Sequence, residues 1–220
     1  MITLQNVTKH YRKKAVYEKC SLEIPTAGMT LFIGQNGIGK STLLKMIAGI
    51  EKPAAGTILY DGVQWSANER KKRIGYVPQE IALWEHMTVD ENLAFFKGLL
   101  KETIDDELIA YYLKKLSIEQ ERKTVVKKLS GGTQRKVNLI IGLLAKPTIL
   151  ILDEPTVGID LKSRTEIQHV LHELSATCTV LLTTHLLDEI EAFTDNIVLI
   201  GEDTFYRDML EEKNIAYTKL

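Results

Sequence analysis

The chain has 220 residues, 45% hydrophobic and 26% charged, a balance that suits a folded core and not a disordered tail. Its formal net charge of −1 gives no global field favouring nucleic acid or an anionic membrane. No run reaches the roughly 18–20 apolar residues that cross a bilayer, and two cysteines, Cys20 and Cys178, make no disulfide framework, which points to free thiols in a reducing compartment.

The N-terminus, "MITLQNVTKHYRKK", has no apolar core of the signal-peptide kind. Residues 2–7 and 20–24 alternate apolar and polar and predict strands, with a turn at Pro25 and Gly28. "MTLFIG" predicts a short buried strand, and "TLLKMIAGI" a helix closed near Gly49 and Pro53. "GTILYDG" predicts a strand with an Asp-Gly turn, and "RIGYVPQ" a strand stopped by Pro78. Residues 88–117 read as helical, with Leu93, Phe96, Leu99 and Leu100 on one face, then Leu108, Tyr111, Tyr112 and Leu116. After a polar stretch, a helix spans about 132–145. "TILILDEP" and "TVLLTTH" predict strands buried on both faces. "RTEIQHVLHEL" predicts an amphipathic helix with Ile167, Val170, Leu171 and Leu174 inward. "LLDEIEAF" is a further helix, and "NIVLIGEDTFY" a closing hairpin that leaves no room for a further domain. Together these predict an α/β core on a mostly parallel sheet, an antiparallel β lobe on the N-terminal side and a helical insert at about 85–130, all in one domain over 1–220.

The strongest motif is Gly34-Gln35-Asn36-Gly37-Ile38-Gly39-Lys40-Ser41, a match to G-x-x-x-x-G-K-[S/T] between a predicted strand and a predicted helix. Gly34, Gly37 and Gly39 let the backbone curl so that N–H groups face a phosphate. Lys40 adds a point charge on the outer phosphates, and the Ser41 hydroxyl can bind Mg²⁺. Asn36 and Thr42 fall in the same ATP-binding set. Asp153 ends a buried strand, where open α/β sheets bind ligands, and suits Mg²⁺. Its neighbour Glu154 is placed to deprotonate an attacking water. The bland alternative is that "DEP" only ends the strand. A second anion-binding candidate lies about ninety residues beyond the first. Ser130, Gly131 and Gly132 precede a predicted amphipathic helix, where a Ser cap and bare glycines expose N–H groups.

Across essentially its whole length the chain resembles the nucleotide-binding subunits of ABC (ATP-binding cassette) transporters. The resemblance rests on the phosphate loop, "YVPQE", "LSGGT" at 129–133, "ILILDEP", "VGID" and "TTH", in that order. It departs in Thr133, where the family has Gln, and in "VGID", where "SGLD" is common. The resemblance implies a Mg²⁺-dependent ATPase of two subunits joined head to tail. In that dimer Ser130, Gly131 and Gly132 close over the ATP on the other subunit's phosphate loop, and Asp160 lies in the loop that crosses the interface. It also implies that Tyr11 stacks on adenine, that Gln79 touches metal and water, and that His185 contacts the γ-phosphate. Glu154, His185, Lys40 and Gln79 are then the catalytic set, and Ser41, Gln79 and Asp153 hold the metal. Taken alone, Ser130 and Asp160 would be helix caps, Tyr11 a surface residue and His185 a satisfied polar group.

The implied partners are a second copy of the chain and a membrane-spanning permease subunit, with no nucleic acid, which places the protein on the inner face of the cell membrane through its partner. "KKLSGGTQRK" and "MTVDENLAFFKGL" are closer to exporter ATPases of the antibiotic and lantibiotic efflux type than to sugar importers. Docking of the permease is expected near Gln79, on Ile81, Leu83, Trp84 and Met87. The alternatives are an ABC ATPase acting on nucleic acid or the ribosome, and a P-loop small-molecule kinase.

Overall fold

The computed structural model describes residues 1–12, 14–26, 28–100, 105–193 and 195–220. Ile2–Tyr11 (β1) and Lys14–Ile24 (β2) pair antiparallel, as their alternation predicts. Met29–Ile33 (β3) is buried at every position and leads into the glycine loop and Lys40–Ala48 (α1). Ala55–Tyr60 (β4) returns antiparallel to the other edge of β1, so the N-terminal lobe is a three-stranded sheet in the order β2-β1-β4. Asp61 and Gly62 both have positive φ, and Tyr60 bridges Val63 across them, the tight Asp-Gly turn expected there.

Ala67–Arg73 (α2) is a short helix that the hydrophobic pattern does not announce. Its signal is a capping box. Ser66 accepts from the Glu69 N–H, and Glu69 accepts from the Ser66 N–H. The "RKKR" run therefore forms the last turn of this helix.

Ile74–Val77 (β5) starts the second sheet. The insert then begins with a second capping box, Thr88 with Glu91, which opens Val89–Leu99 (α3). Asp106–Lys115 (α4) follows, so part of the predicted helical stretch, 101–104, lies outside the described residues. Main-chain bonds from Lys127 to Glu85 and from Val126 to Met87 tie the two ends of the insert together. The inward face of α4 is Ile109 and Leu113, followed by Leu116. Leu99 and Tyr111, expected on one face with Leu93 and Leu116, are exposed while those two are buried.

Gly131–Leu143 (α5), Ile149–Asp153 (β6), Leu161–Ser175 (α6), Thr179–Thr183 (β7), Leu187–Ala192 (α7) and Asn196–Leu199 (β8) complete the core. The predicted closing hairpin does not form. Instead β8 lies parallel to β3, Thr204–Glu212 (α8) follows, and Thr218–Lys219 (β9) joins as a parallel edge strand. The reason is local. Asp203 accepts from the Phe205 and Tyr206 N–H groups and starts a helix, and Tyr206, Met209 and Leu210 then bury one face of it.

The large sheet runs β5-β6-β7-β3-β8-β9, parallel throughout. Each central strand is buried on both sides. Leu31 and Ile33 face the cluster built by α5, α6 and the insert, and Phe32 faces the cluster built by α1 and the β lobe. Each fully buried Leu or Ile contributes about 1.5–3 kcal/mol. Because the strands are parallel, the segments that follow β3, β5, β6 and β7 all emerge at one edge of the sheet.

Candidate active site

That edge gathers four stretches that lie far apart in sequence. The glycine loop follows β3, Pro78 and Gln79 follow β5, Asp153 and Glu154 end β6, and Thr183 to His185 end β7. Three of them, all but the segment ending β7, line a cavity of about 390 Å³. One side is Asn36, Gly37 and Gly39 with Lys40, Ser41 and Thr42 from the first turn of α1; the other side is Gln79 and Glu154.

The loop is closed tightly. Gly34 has φ 144° and a Cβ there would lie 2.6 Å from the Ile200 carbonyl oxygen, so only glycine fits. The Lys40 ammonium donates to the carbonyls of Gly34 at 2.6 Å and Gln35 at 3.0 Å. Burial lowers its pKa from the usual lysine value, while Glu154, Asp153 and Asp203 act in the opposite direction. Tyr17 from β2 donates to the Gly39 carbonyl at 3.0 Å, anchoring the loop to the β lobe.

Opposite, Glu154 is 8% exposed and held from three directions. Gln79 Nε2 donates to its Oε2 at 2.9 Å. His185 Nδ1 is buried, has no hydrogen-bond partner among the described residues and lies 3.4 Å from Oε1. The Glu154 backbone N–H donates to Thr183 Oγ1 at 2.9 Å, and Thr183 donates in turn to Asp153 Oδ1 at 2.7 Å. Glu154 also has φ 47°, a left-handed conformation that costs a non-glycine residue about 1–2 kcal/mol. A strained, buried carboxylate fixed at the mouth of a phosphate-shaped cradle can orient water and take its proton.

The remaining predicted residues lie outside the cavity lining. Tyr11 is 44% exposed; its hydroxyl donates to Glu51, and Lys9 Nζ sits 5.1 Å from its ring centre. Ser130 is exposed and caps α5, accepting from the Thr133 N–H at 3.2 Å. Gly131 is open: a Cβ there meets nothing within 4 Å. Gly132 is buried, and a Cβ there would lie 2.4 Å from Ser163 Oγ and 2.7 Å from Asp160 Oδ2. Asp160 caps α6 through the Ser163 N–H at 3.0 Å, so the "LSGGT" and "VGID" segments abut within one chain.

Sequence reading missed Thr183, which fixes both carboxylate residues. Its signal was a hydroxyl at the end of an otherwise apolar buried strand. It also missed Tyr206, whose hydroxyl donates to the His185 carbonyl at 3.4 Å. Among the described residues no cluster of three or more His, Cys, Asp or Glu could hold a metal by itself. That fits Mg²⁺, which takes one or two protein oxygens with substrate phosphates and water. Ser41, Asp153 and the Gln79 side-chain carbonyl could supply such oxygens.

A strand, glycine loop and helix facing acidic strand ends on a parallel sheet define a P-loop nucleotide-binding protein. The family model described as "ABC transporter" matches residues 17–157, and the chain belongs to that family, as an ATP-binding, ATP-hydrolysing subunit. It is 34% identical to a linearmycin resistance ATP-binding protein of Bacillus subtilis over 92% of this chain and 67% of that protein. It is 30% identical to a lantibiotic transport ATP-binding protein of Streptococcus pyogenes over 92% of this chain and 87% of that one. An import protein matches comparably: a sulfate/thiosulfate import ATP-binding protein of Neisseria meningitidis is 32% identical over 91% of this chain and 58% of its own length. Among solved structures, the dimeric post-hydrolysis state of an ATP-binding cassette bound to ADP and Pi superposes with a TM-score of 0.79 at 26% identity, covering 90% of this chain and 94% of that one.

Proposed function

We propose that two copies of this chain, each acting as one cassette over residues 1–220, close head to tail on two ATP molecules and drive export through a separate membrane subunit. The observation that carries the hydrolytic half is Glu154, gripped by Gln79, Thr183 and the neighbourhood of His185 across a cavity from Lys40. On ATP binding, Lys40 exchanges the Gly34 and Gln35 carbonyls for the outer phosphates, and the loop N–H groups hold the rest. Tyr11 offers its exposed ring to the adenine. Glu154 then takes a proton from water as the water oxygen bonds to the γ-phosphorus. The bond from the γ-phosphorus to the bridging oxygen breaks, and ADP and phosphate leave. Ser41, Asp153 and Gln79 would hold Mg²⁺, which would supply neutralisation of phosphate charge.

The dimer reading is supported by exposed Ser130 and Gly131, whose free N–H end lies outside its own chain's cavity, and by the dimeric cassette among the structural relatives. Docking of a membrane subunit is supported by Trp84 and Phe95. Both are exposed and meet edge to face at 5.8 Å, Trp84 in the loop after Gln79 and Phe95 on α3. The described residues contain no helix long and apolar enough to cross a membrane. Export follows the resistance and lantibiotic relatives; the import relative makes direction the point to test. Reconstituted with its membrane subunit in inside-out vesicles, the protein should drive ATP-dependent substrate accumulation. Accumulation only in right-side-out vesicles would assign import.

A further inference from the structure

Behind Glu154 and His185 lies a buried carboxylate that takes no part in lining the cavity. Glu189, in the first turn of α7 and four residues after His185, is 1% exposed. Its Oε1 accepts from Thr156 Oγ1 and, at 3.2 Å, from Gln168 Nε2 of α6. Both donors are neutral. Its Oε2 is buried with no hydrogen-bond partner among the described residues. Thr156 is buried too and stands two residues beyond Glu154, with buried Pro155 between them. The proline ring fixes its own φ, so the link from Glu154 to Thr156 is short and stiff.

Packing alone does not call for this group. A carboxylate buried among neutral donors, with one oxygen unsatisfied, is costly, and an apolar side chain of similar size would avoid that cost. Nor is Glu189 the one bond between α7 and α6, since Arg164 Nη1 donates to Asp188 Oδ2 at 2.8 Å. What the Glu189 bond adds is reach to the segment that follows β6. It closes a short ring. His185 leads into α7 and Glu189, Glu189 holds Thr156, Thr156 leads back through Pro155 to Glu154, and Glu154 Oε1 faces His185 Nδ1 at 3.4 Å. Inside that ring Glu154 sits at φ 47°, a conformation that persists only where its surroundings over-determine it.

We propose that Glu189 is a positioning residue for hydrolysis, which through Thr156 sets the spacing between Glu154 and His185. This rests on the reading of Glu154 as the base and of His185 as its neighbour at the γ-phosphate. Gln79 and Thr183 fix Glu154 to the ends of β5 and β7, but neither bond reaches the helix that follows His185. The Glu189–Thr156 bond does. With it in place, the two side chains converge on one water and one phosphate. Without it, the Thr156 segment is released, the left-handed backbone at Glu154 relaxes and the gap to His185 widens. ATP binding uses the glycine loop and Lys40 across the cavity and is left alone. The loss therefore falls on kcat and not on affinity.

The test measures ATP turnover, ATP affinity and melting temperature in wild type and in variants of both partners. Thr156→Val and Glu189→Leu should each lower kcat roughly tenfold, a loss in the range that slight misplacement causes, with ATP affinity within about threefold. Thr156→Ser and Glu189→Gln, which keep the hydroxyl donor and an oxygen acceptor, should stay within about threefold of wild-type turnover. Asp188→Ala, which breaks the other bond between α7 and α6, should stay within about twofold; a tenfold loss there would assign the effect to α7 anchoring in general and overturn the proposal. The double variant Thr156→Val with Glu189→Leu separates positioning from support. Replacing both partners of a buried bond with apolar groups is nearly neutral for stability. The double variant should therefore melt closer to wild type than either single variant, yet hydrolyse ATP no faster than they do. Recovery of turnover together with melting would make Glu189 a support of the fold and overturn the proposal, as would folded single variants with wild-type kcat. Glu154→Gln, run alongside, keeps the two readings apart. If it turns over like wild type, the role of Glu154 falls and the tie with it; if it is inactive while Thr156→Val is fully active, the tie alone falls. Should Glu189→Leu fail to fold, Thr156→Val against Thr156→Ser decides alone.

Discussion

The two anion-facing ends of this chain are built on opposite plans. The glycine loop before α1 is walled in: Lys40 is bonded to two loop carbonyls, Gly34 is pressed on Ile200, and Glu154 stands across the cavity with its own supports. The start of α5 is bare. The Ser130 hydroxyl meets Thr133, and a Cβ on Gly131 would face open space. One end can hold a nucleotide unaided; at the other, the Thr133 N–H is capped by Ser130 while the exposed Gly131 stands outside the cavity. That asymmetry is what a site shared between two chains requires, and four changes can break or sharpen it.

The largest effect should come from the walled end. Glu154→Gln keeps the shape and the Gln79 neighbourhood but removes the proton acceptor. General-base catalysis contributes about 10²–10⁴-fold, so steady-state turnover should fall by that factor while equilibrium binding still detects ATP. Turnover within threefold of wild type would remove Glu154 from the role proposed for it.

The bare end comes next. Gly131→Asp places a carboxylate where another chain's phosphates should close, at a position with room for the side chain. Gly132 is unsuitable, since any Cβ there collides with Ser163 and Asp160 and would confuse folding with catalysis. Loss of preorganised donors costs about 10²–10³-fold, and Gly131→Asp homodimers should lose turnover on that scale while each monomer still binds ATP. Mixing Gly131→Asp with Lys40→Ala, each inactive alone, should restore hydrolysis, because the mixed dimer has one complete site. No recovery from demonstrably mixed dimers would mean that the open end acts within its own chain.

The contrast also separates what the sequence could tell from what it could not. The phosphate loop and "ILILDEP" were legible because a local motif and a buried strand coincide at each. Assembly was less so. Nothing local links Thr183 to Glu154; the parallel register that pairs Asp153 with Thr183 does. The closing hairpin expected over "NIVLIGEDTFY" does not form, although Asp203 and the 206, 209, 210 spacing already carried a helix cap and stripe. Helix α2 hid behind charge, because its evidence was the Ser66–Glu69 box and not a hydrophobic face. Leu99 and Tyr111 fit a helical period yet face outward, since a period does not say which side finds the core.

A third change tests whether the exposed aromatics belong to a third surface, apart from both ends. Trp84→Ala with Phe95→Ala should weaken association with the membrane subunit. Buried aromatic anchors cost about 2 kcal/mol or more when truncated, about thirtyfold in affinity. Melting of the isolated protein, measured alongside, reports whether the fold survives. Unchanged co-purification at matched concentrations would return Trp84 and Phe95 to ordinary surface.

The smallest effect concerns the strain kept at the walled end. Glu154 holds φ 47°, one of eight described non-glycine residues with positive φ. The left-handed region costs a side-chain-bearing residue about 1–2 kcal/mol. Glycine escapes that cost but loses about 0.4–1 kcal/mol through the greater freedom of the unfolded chain. Both Glu154→Gly and Glu154→Ala lose the bond from Gln79 and the approach of His185, so the difference between them isolates the backbone. Relief of the left-handed strain outweighs the entropy loss: Glu154→Gly should be more stable than Glu154→Ala by about 0.5–1 kcal/mol in chemical denaturation, the difference between those two costs, although neither hydrolyses ATP. Retaining glutamate where glycine would fold better then reflects chemistry, with Thr183 and the end of β6 holding the residue in place. If Glu154→Ala proves the more stable of the two, the backbone here carries no strain, and the position of the carboxylate rests on its hydrogen bonds alone.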